Sequence, residues 1–188
     1  MTSELVPGPA HAATPAAGLQ NPSLAVGDPA LGSWRAFLQA HARLIRRLDE
    51  ELQAAHGLSL AEYDALFQLN LSPTHRMRMS VLADRVLLSR SGITRLVDRL
   101  VADRMVERTA CPTDLRGAEA AITPAGMDRL RNASVTHLEG IHRLFLDVIP
   151  EDERAAIERG LTRVTDGLGC KPVLAAQAAE SCGSPAES

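Results

Sequence analysis

Residues 89–100 read Ser-Arg-Ser-Gly-Ile-Thr-Arg-Leu-Val-Asp-Arg-Leu. Ile93, Leu96, Val97 and Leu100 recur at steps of three and four, so a helix gathers them on one face. The other face receives Arg90, Ser91, Thr94, Arg95, Asp98 and Arg99. A guanidinium is a planar fork that can grip guanine O6 and N7 together, and Ser or Thr hydroxyls can serve base edges or phosphates. When a helix lies in a major groove, its first turns come nearest the bases. Arg90, Ser91, Thr94 and Arg95 are therefore the candidates for base contact, and Arg99, a turn later, for a phosphate. Ser89 stands where an N-cap is needed. The same residues also fit a solvated helix face with Ser89 as a simple cap, and this segment alone does not decide between the two.

The stretch that follows adds a second element. Val106–Ala110 has the composition of a strand, residues 112–117 are turn-rich, and residues 117–123 can return as a second strand, which makes a β-hairpin. Arg116 at its tip has the reach to enter a minor groove, where narrow tracts concentrate negative potential. Asp114, two residues earlier, can orient that guanidinium; the alternative is a surface turn with an incidental ion pair. Charge supports the first reading. Residues 76–116 hold nine basic and five acidic residues, net +4, while the remainder holds 11 basic and 18 acidic, net -7. Positive charge is thus concentrated on one segment of a chain whose total is only -3, the polarity of a DNA-binding unit on an acidic scaffold.

These segments need elements to position them. Trp34, Phe37, Leu38, His41, Leu44, Ile45, Leu48 and Leu52 trace one face of a long helix that opens at Ser33 and ends near Gly57. Ser59 with Glu62 forms a capping box for a shorter helix, which Ser72-Pro73 ends. Ser80 is the expected N-cap of a third helix, and Ser89 of the fourth. Thr123-Pro124 opens a long helix running to Ile149-Pro150, and Glu151-Asp152-Glu153 favours the start of a last one. A close helix pair followed by a hairpin is the order of a winged helix-turn-helix. The fold class is mainly α with a small β-hairpin wing. The long terminal helices carry more apolar stripe than so small a core needs, so they are expected to bury it against a second copy of the chain.

Composition narrows the function classes. A chain of 188 residues with 45% hydrophobic residues is sized for one soluble domain with tails. Aromatic residues make up only 3%, too few for a single-strand stacking platform. Cys111, Cys170 and Cys182 match no zinc or redox spacing, so a reducing, cytoplasmic setting and no metal are expected. Cys111, in the hairpin, is read as a bland thiol or an oxidant sensor. His137 and His142 are five apart, about 140° around a helix, and do not make a metal pair. The chain contains no catalytic motif, no phosphate-binding loop and no dinucleotide fingerprint, so neither an enzyme nor a cofactor is expected. No apolar run is long enough to span a membrane. Residues 1–32, with five Pro and four Gly, and residues 169–188 are expected to be disordered arms.

The run from Leu82 to Leu100, then Val106-Glu-Arg, then Asp114-Leu-Arg-Gly, then Ile122-Thr-Pro-Ala-Gly126, resembles the MarR-type winged-helix regulators of bacteria in order and spacing. The resemblance covers about residues 33–168. It implies dimerisation helices over 33–57 and 124–168 and a winged helix-turn-helix over 59–123. It further implies a homodimer on a palindromic double-stranded DNA operator, usually as a repressor, often released by a small molecule. By matching motif, Ser89, Arg90, Ser91, Thr94 and Arg95 become the recognition-helix residues, Asp114 and Arg116 the wing pair, and Arg78 and Ser80 phosphate contacts. Trp34 and His41 would line an effector crevice, or else be simple core. The family usually has Gly where the recognition helix turns into the strand. Here Arg104 stands there, and a left-handed non-Gly residue costs about 1 kcal/mol, so a differently shaped turn is expected. A reading of another class is a helical dimeric module that binds a protein partner through its arms and never touches DNA; the charge asymmetry argues against it.

Overall fold

The computed structural model describes residue 28 and residues 31–111 and 114–169. The arms expected over 1–32 and 169–188 fall almost wholly outside the described residues, as do Cys170 and Cys182. The chain divides into two units, residues 1–41 and 42–188. Helix α1 (Gly32–His56) begins in the first and ends in the second. In the first unit Arg35 donates to the Asp28 carbonyl at 2.7 Å. The rings of Trp34, Phe37 and His41 follow one another along that helix, with successive centroids 6.0 Å apart. That is what steps of three and four residues produce on a helix face.

The second unit follows the expected order with two additions. Helix α2 (Leu60–Leu71) starts with the full capping box: Ser59 Oγ accepts from the Glu62 amide, and the Glu62 carboxylate accepts from the Ser59 amide. Strand β1 (Arg76–Arg78) comes next, then α3 (Met79–Arg85) and α4 (Arg90–Ala102). Strands β2 (Val106–Cys111) and β3 (Asp114–Ile122) form the hairpin. The sheet has three antiparallel strands in the order β1-β3-β2, with Arg78 opposite Glu119, Thr109 opposite Glu119 and Cys111 opposite Asp114. The expectation of a two-stranded hairpin is therefore incomplete. So is the expectation for Ser80. It sits inside the first turn of α3, and the N-cap is Arg78, which makes no side-chain cap bond. The backbone enters α3 directly from β1, which leaves no room for a separate cap.

Helix α5 (Pro124–Ile141) starts as expected at Thr123, whose hydroxyl accepts from the Gly126 amide at 3.0 Å. It does not run unbroken to Ile149. Residues His142–Leu146 form a π-helical turn, followed by α6 (Glu151–Gly167). The C-terminal end of such a turn leaves carbonyls without helical partners. Arg154 of α6 supplies them, donating to the carbonyl oxygens of Leu146 and, at 2.9 Å, Ile149.

The core gathers Leu66 and Leu69 of α2, Leu82 of α3, Ile93 and Val97 of α4, and Val106 of β2, all buried. It holds the helix pair and the sheet together. By contrast, Val135, Leu138, Val148, Ile157, Leu161 and Val164 of the C-terminal helical region are exposed. So are Trp34, Phe37 and Leu38 of the first unit. Trp34 and His41 are not core residues: Trp34 keeps 55% of its surface exposed, and His41 is exposed as well.

Candidate nucleic-acid interface

Helix α4 divides cleanly. Ile93, Leu96, Val97 and Leu100 are buried, and Arg90, Ser91, Thr94, Arg95, Asp98 and Arg99 are exposed. Ser89 is the N-cap, its Oγ accepting from the Gly92 amide at 3.1 Å and lying 3.2 Å from Ser91 Oγ. Thr94 Oγ1 donates to the Arg90 carbonyl at 2.9 Å, which leaves the hydroxyl oxygen as an outward acceptor. Arg90 and Arg95 have exposed side chains that no hydrogen bond or ion pair engages among the described residues. The N-cap and first two turns of α4 thus present two guanidiniums and three hydroxyls at one end of a helix whose back is fixed in the core.

Two ion pairs hold the flanks of this helix, and neither was visible in the sequence. On one side Arg99 Nε lies 2.7 Å from Glu62 Oε1, so the Arg99 expected to face outward has an internal partner. On the other side Arg108 of β2 pairs with Asp98 Oδ1 at 2.9 Å and donates to the Thr94 carbonyl at 3.0 Å. The capping-box spacing announced Glu62, but only as a cap. Nothing in local spacing announces a pair between residues ten or 37 apart.

Arg78 ends β1 at the entrance to α3, and exposed Ser80 sits in the first turn of that helix. Both lie at the N-terminal end of the helix that precedes α4. The wing is present as β2 and β3, but Pro112 and Thr113 lie outside the described residues, as do the side chains of Cys111, Asp114 and Arg116. The sheet register puts Asp114 at the tip, opposite Cys111, after a register shift at Ala110.

The turn between α4 and β2 keeps a left-handed residue without glycine. Arg104 has φ 58°, so the turn is not reshaped to avoid that conformation. What holds it is the start of α5: Thr123 Oγ1 donates to the Arg104 carbonyl at 2.8 Å, and the Thr123 amide donates to the Met105 carbonyl at 3.0 Å. Gly126 completes the joint. A Cβ there would overlap the Met105 carbonyl oxygen and come within 2.9 Å of Ile122 Cγ1. The Thr-x-x-Gly spacing is thus the spacing that seats α5 on the base of the wing. His75 and Leu87 are also left-handed, at φ 55° and 57°, and Leu87 protrudes 84% exposed from the α3–α4 turn.

Elsewhere, His137 packs on Tyr63, ring centroids 4.5 Å apart, and its buried Nδ1 has no hydrogen-bond partner. Burial lowers its pKa below the ordinary histidine value. His142 is exposed beside Asp147, on the π turn. Among the described residues no group of His, Cys, Asp and Glu could hold a metal ion, and no helix is long and apolar enough to cross a membrane.

A sequence profile described as MarR family matches residues 56–117. Among curated proteins, the HTH-type transcriptional regulator MhqR of Bacillus subtilis is 31% identical over 116 residues, 62% of this chain and 77% of MhqR. Among solved structures, the MarR family transcriptional regulator AbsC from Streptomyces coelicolor aligns at TM-score 0.71 and 28% identity, over 77% of this chain and 97% of AbsC. Sco3205 from the same organism, a MarR family transcriptional regulator solved in complex with DNA, aligns at 0.72 and 29%, over 76% of this chain and 89% of its own.

Proposed function

We propose, for a chain that belongs to the MarR family of transcriptional regulators, that it binds a pseudo-palindromic DNA operator as a homodimer and represses transcription until a small molecule releases it. One observation carries the reading. Arg90 and Arg95 stand exposed and unengaged on the outer face of α4, at the end that would meet base edges. Ser89, Ser91 and Thr94 add hydroxyls beside them, Arg99, Arg78 and Ser80 supply phosphate contacts, and Asp114 and Arg116 serve the wing. Sco3205 in its DNA complex supports the same use of the fold.

The homodimer is supported by the uncovered apolar residues of α1, α5 and α6. Two-fold symmetry then places one α4 per half-site, with half-sites about 10 bp apart. The domain is taken as residues 33–168, with its helical ends, 33–57 and 124–168, as the pairing elements. Trp34 and His41 are the candidate effector contacts. A ligand acts by preferring a dimer whose two α4 helices no longer match the operator spacing. The work is binding rather than catalysis, and its setting is the cytoplasm.

Fluorescence anisotropy at physiological salt tests this reading. The probe is duplex DNA from upstream of the protein's own gene, with a scrambled duplex as control. A preference of about 10³-fold, saturating at two chains per site, is expected. Equal, salt-labile binding to both duplexes would refute it.

A further inference from the structure

The first turn of α2 is a junction between three helices. Glu62 uses its two carboxylate oxygens for different tasks. Oε2 accepts from the Ser59 amide at 3.0 Å and from Ser59 Oγ at 2.9 Å, closing the capping box. Oε1 accepts from Arg99 Nε of α4 at 2.7 Å. The amide of the neighbouring Leu60 donates to Asp49 Oδ1 of α1, also at 2.7 Å. One helix end therefore grips α1 through Asp49 and α4 through Arg99.

The chemistry of Glu62 is specific to this double task. A capping box is satisfied as well by Gln as by Glu. Gln, however, has one acceptor oxygen and cannot serve Ser59 and Arg99 together. The side chain is only 13% exposed, while that of Arg99 is 57% exposed. Burial pushes the carboxyl's pKa up, but the bond from Arg99, the two from Ser59 and the Arg99 charge outweigh it and hold the group below its ordinary value. It stays ionised near neutral pH.

We propose that Glu62 is a positioning residue for operator reading: it locks α4 to the first turn of α2 and, through Asp49, to the long helix α1. The proposal rests on the reading of α4 as the recognition helix. In a dimer paired through its terminal helices, the separation of the two α4 helices is only as well defined as the link from α1 to α4. The buried core that Leu52 of α1 shares with α4 carries that link at its centre; the Arg99–Glu62 bond adds to it on one flank, and the Arg108–Asp98 pair steadies the other side of α4.

Two measurements on the full chain test it. In the free protein, hydrogen exchange of the α4 amides should quicken by about threefold or more in Glu62→Gln. The first turn of α2 should stay protected, because Gln keeps the cap. Arg99→Met, which leaves the capping box untouched, should quicken the same amides. Unchanged α4 exchange in both variants would overturn the proposal. On DNA, anisotropy is read on duplexes from the upstream site whose half-sites are moved one base pair closer or further apart. Wild type should discriminate among these spacings. Glu62→Gln should flatten that discrimination by about threefold or more at an unchanged salt slope. An unaltered spacing profile would overturn the positioning role. A steeper salt slope would also overturn it, since Glu62 would then be competing with phosphate for Arg99. Failure of the wild type to bind any duplex would refute the operator reading, and the exchange arm would still decide whether Glu62 holds α4.

Discussion

Arg108 on β2 and Asp98 on α4 meet at 2.9 Å, and the same guanidinium reaches the Thr94 carbonyl at 3.0 Å. The wing strand is thereby fastened to the outer turns of the helix it follows. Both side chains are partly exposed, so the pair adds less than about 1 kcal/mol to stability. Its effect should fall on geometry. Arg108→Ala is expected to lower operator affinity by roughly fivefold, with thermal unfolding shifted by only a few degrees. Anisotropy and a melting curve on the same preparation check it; a large loss of stability with affinity intact would contradict the assignment.

The exposed arginines of α4 and the wing should separate by kind of contact. Arg90→Ala or Arg95→Ala should cost about 1–3 kcal/mol on the preferred duplex and relax base preference. Arg116→Ala should weaken binding and reduce the salt slope by about 1. Titrations at several salt concentrations distinguish the two patterns. Identical salt slopes and identical base preferences in all three variants would remove these residues from the interface.

Gly126 is fixed by contact rather than by backbone freedom. Its missing Cβ makes room for the Met105 carbonyl, which is backbone and cannot step aside. Gly126→Ala should therefore destabilise the fold by about 1–3 kcal/mol, despite alanine's better helix propensity. Urea unfolding measures this. An alanine variant as stable as wild type would mean that the joint between α5 and the wing base yields easily.

Burial holds the His137 pKa below 6.5 in the folded chain. Above that value the ring is neutral folded and unfolded, and it contributes no pH dependence. As pH falls through 6.5 the unfolded chain takes up a proton that the folded ring resists, so stability declines until the folded ring is protonated too. The slope from this one group is at most about 1.4 kcal/mol per pH unit. Wild type should lose more stability than His137→Leu between pH 7.5 and 5.5 (about one unit either side of 6.5). Parallel melting curves would show that His137 is not the group responsible.

Much of this architecture was legible because its signals are local. Ser59 with Glu62, Ser89 before α4 and Thr123-Pro124 before α5 each advertise a cap within four residues of chain. The buried face of α4 follows from its period. Strand β1 was missed because three residues, Arg-Met-Arg, show no alternation to read, and their partners lie in β3, more than 40 residues on. Ser80 looked like a cap only while no strand preceded it. The π turn at His142–Leu146 and the pairs of Arg99 and Arg108 depend on how finished helices pack, and no spacing rule encodes that. Arg104 shows a different gap: the sequence marked the unusual residue, but only the bonds from Thr123 explain why the left-handed turn survives without glycine.

On the homodimer reading, the uncovered face of the C-terminal helical region, where Leu138, Val148 and Val164 each remain more than half exposed, makes the stability of this chain a matter of mass action. Whatever covers that face binds the folded chain and not the unfolded one, so it adds a free energy that grows with the logarithm of its concentration. If the cover is a second copy, the melting temperature climbs as the protein itself is concentrated. A dilute chain and a concentrated one would then be, thermodynamically, two different proteins.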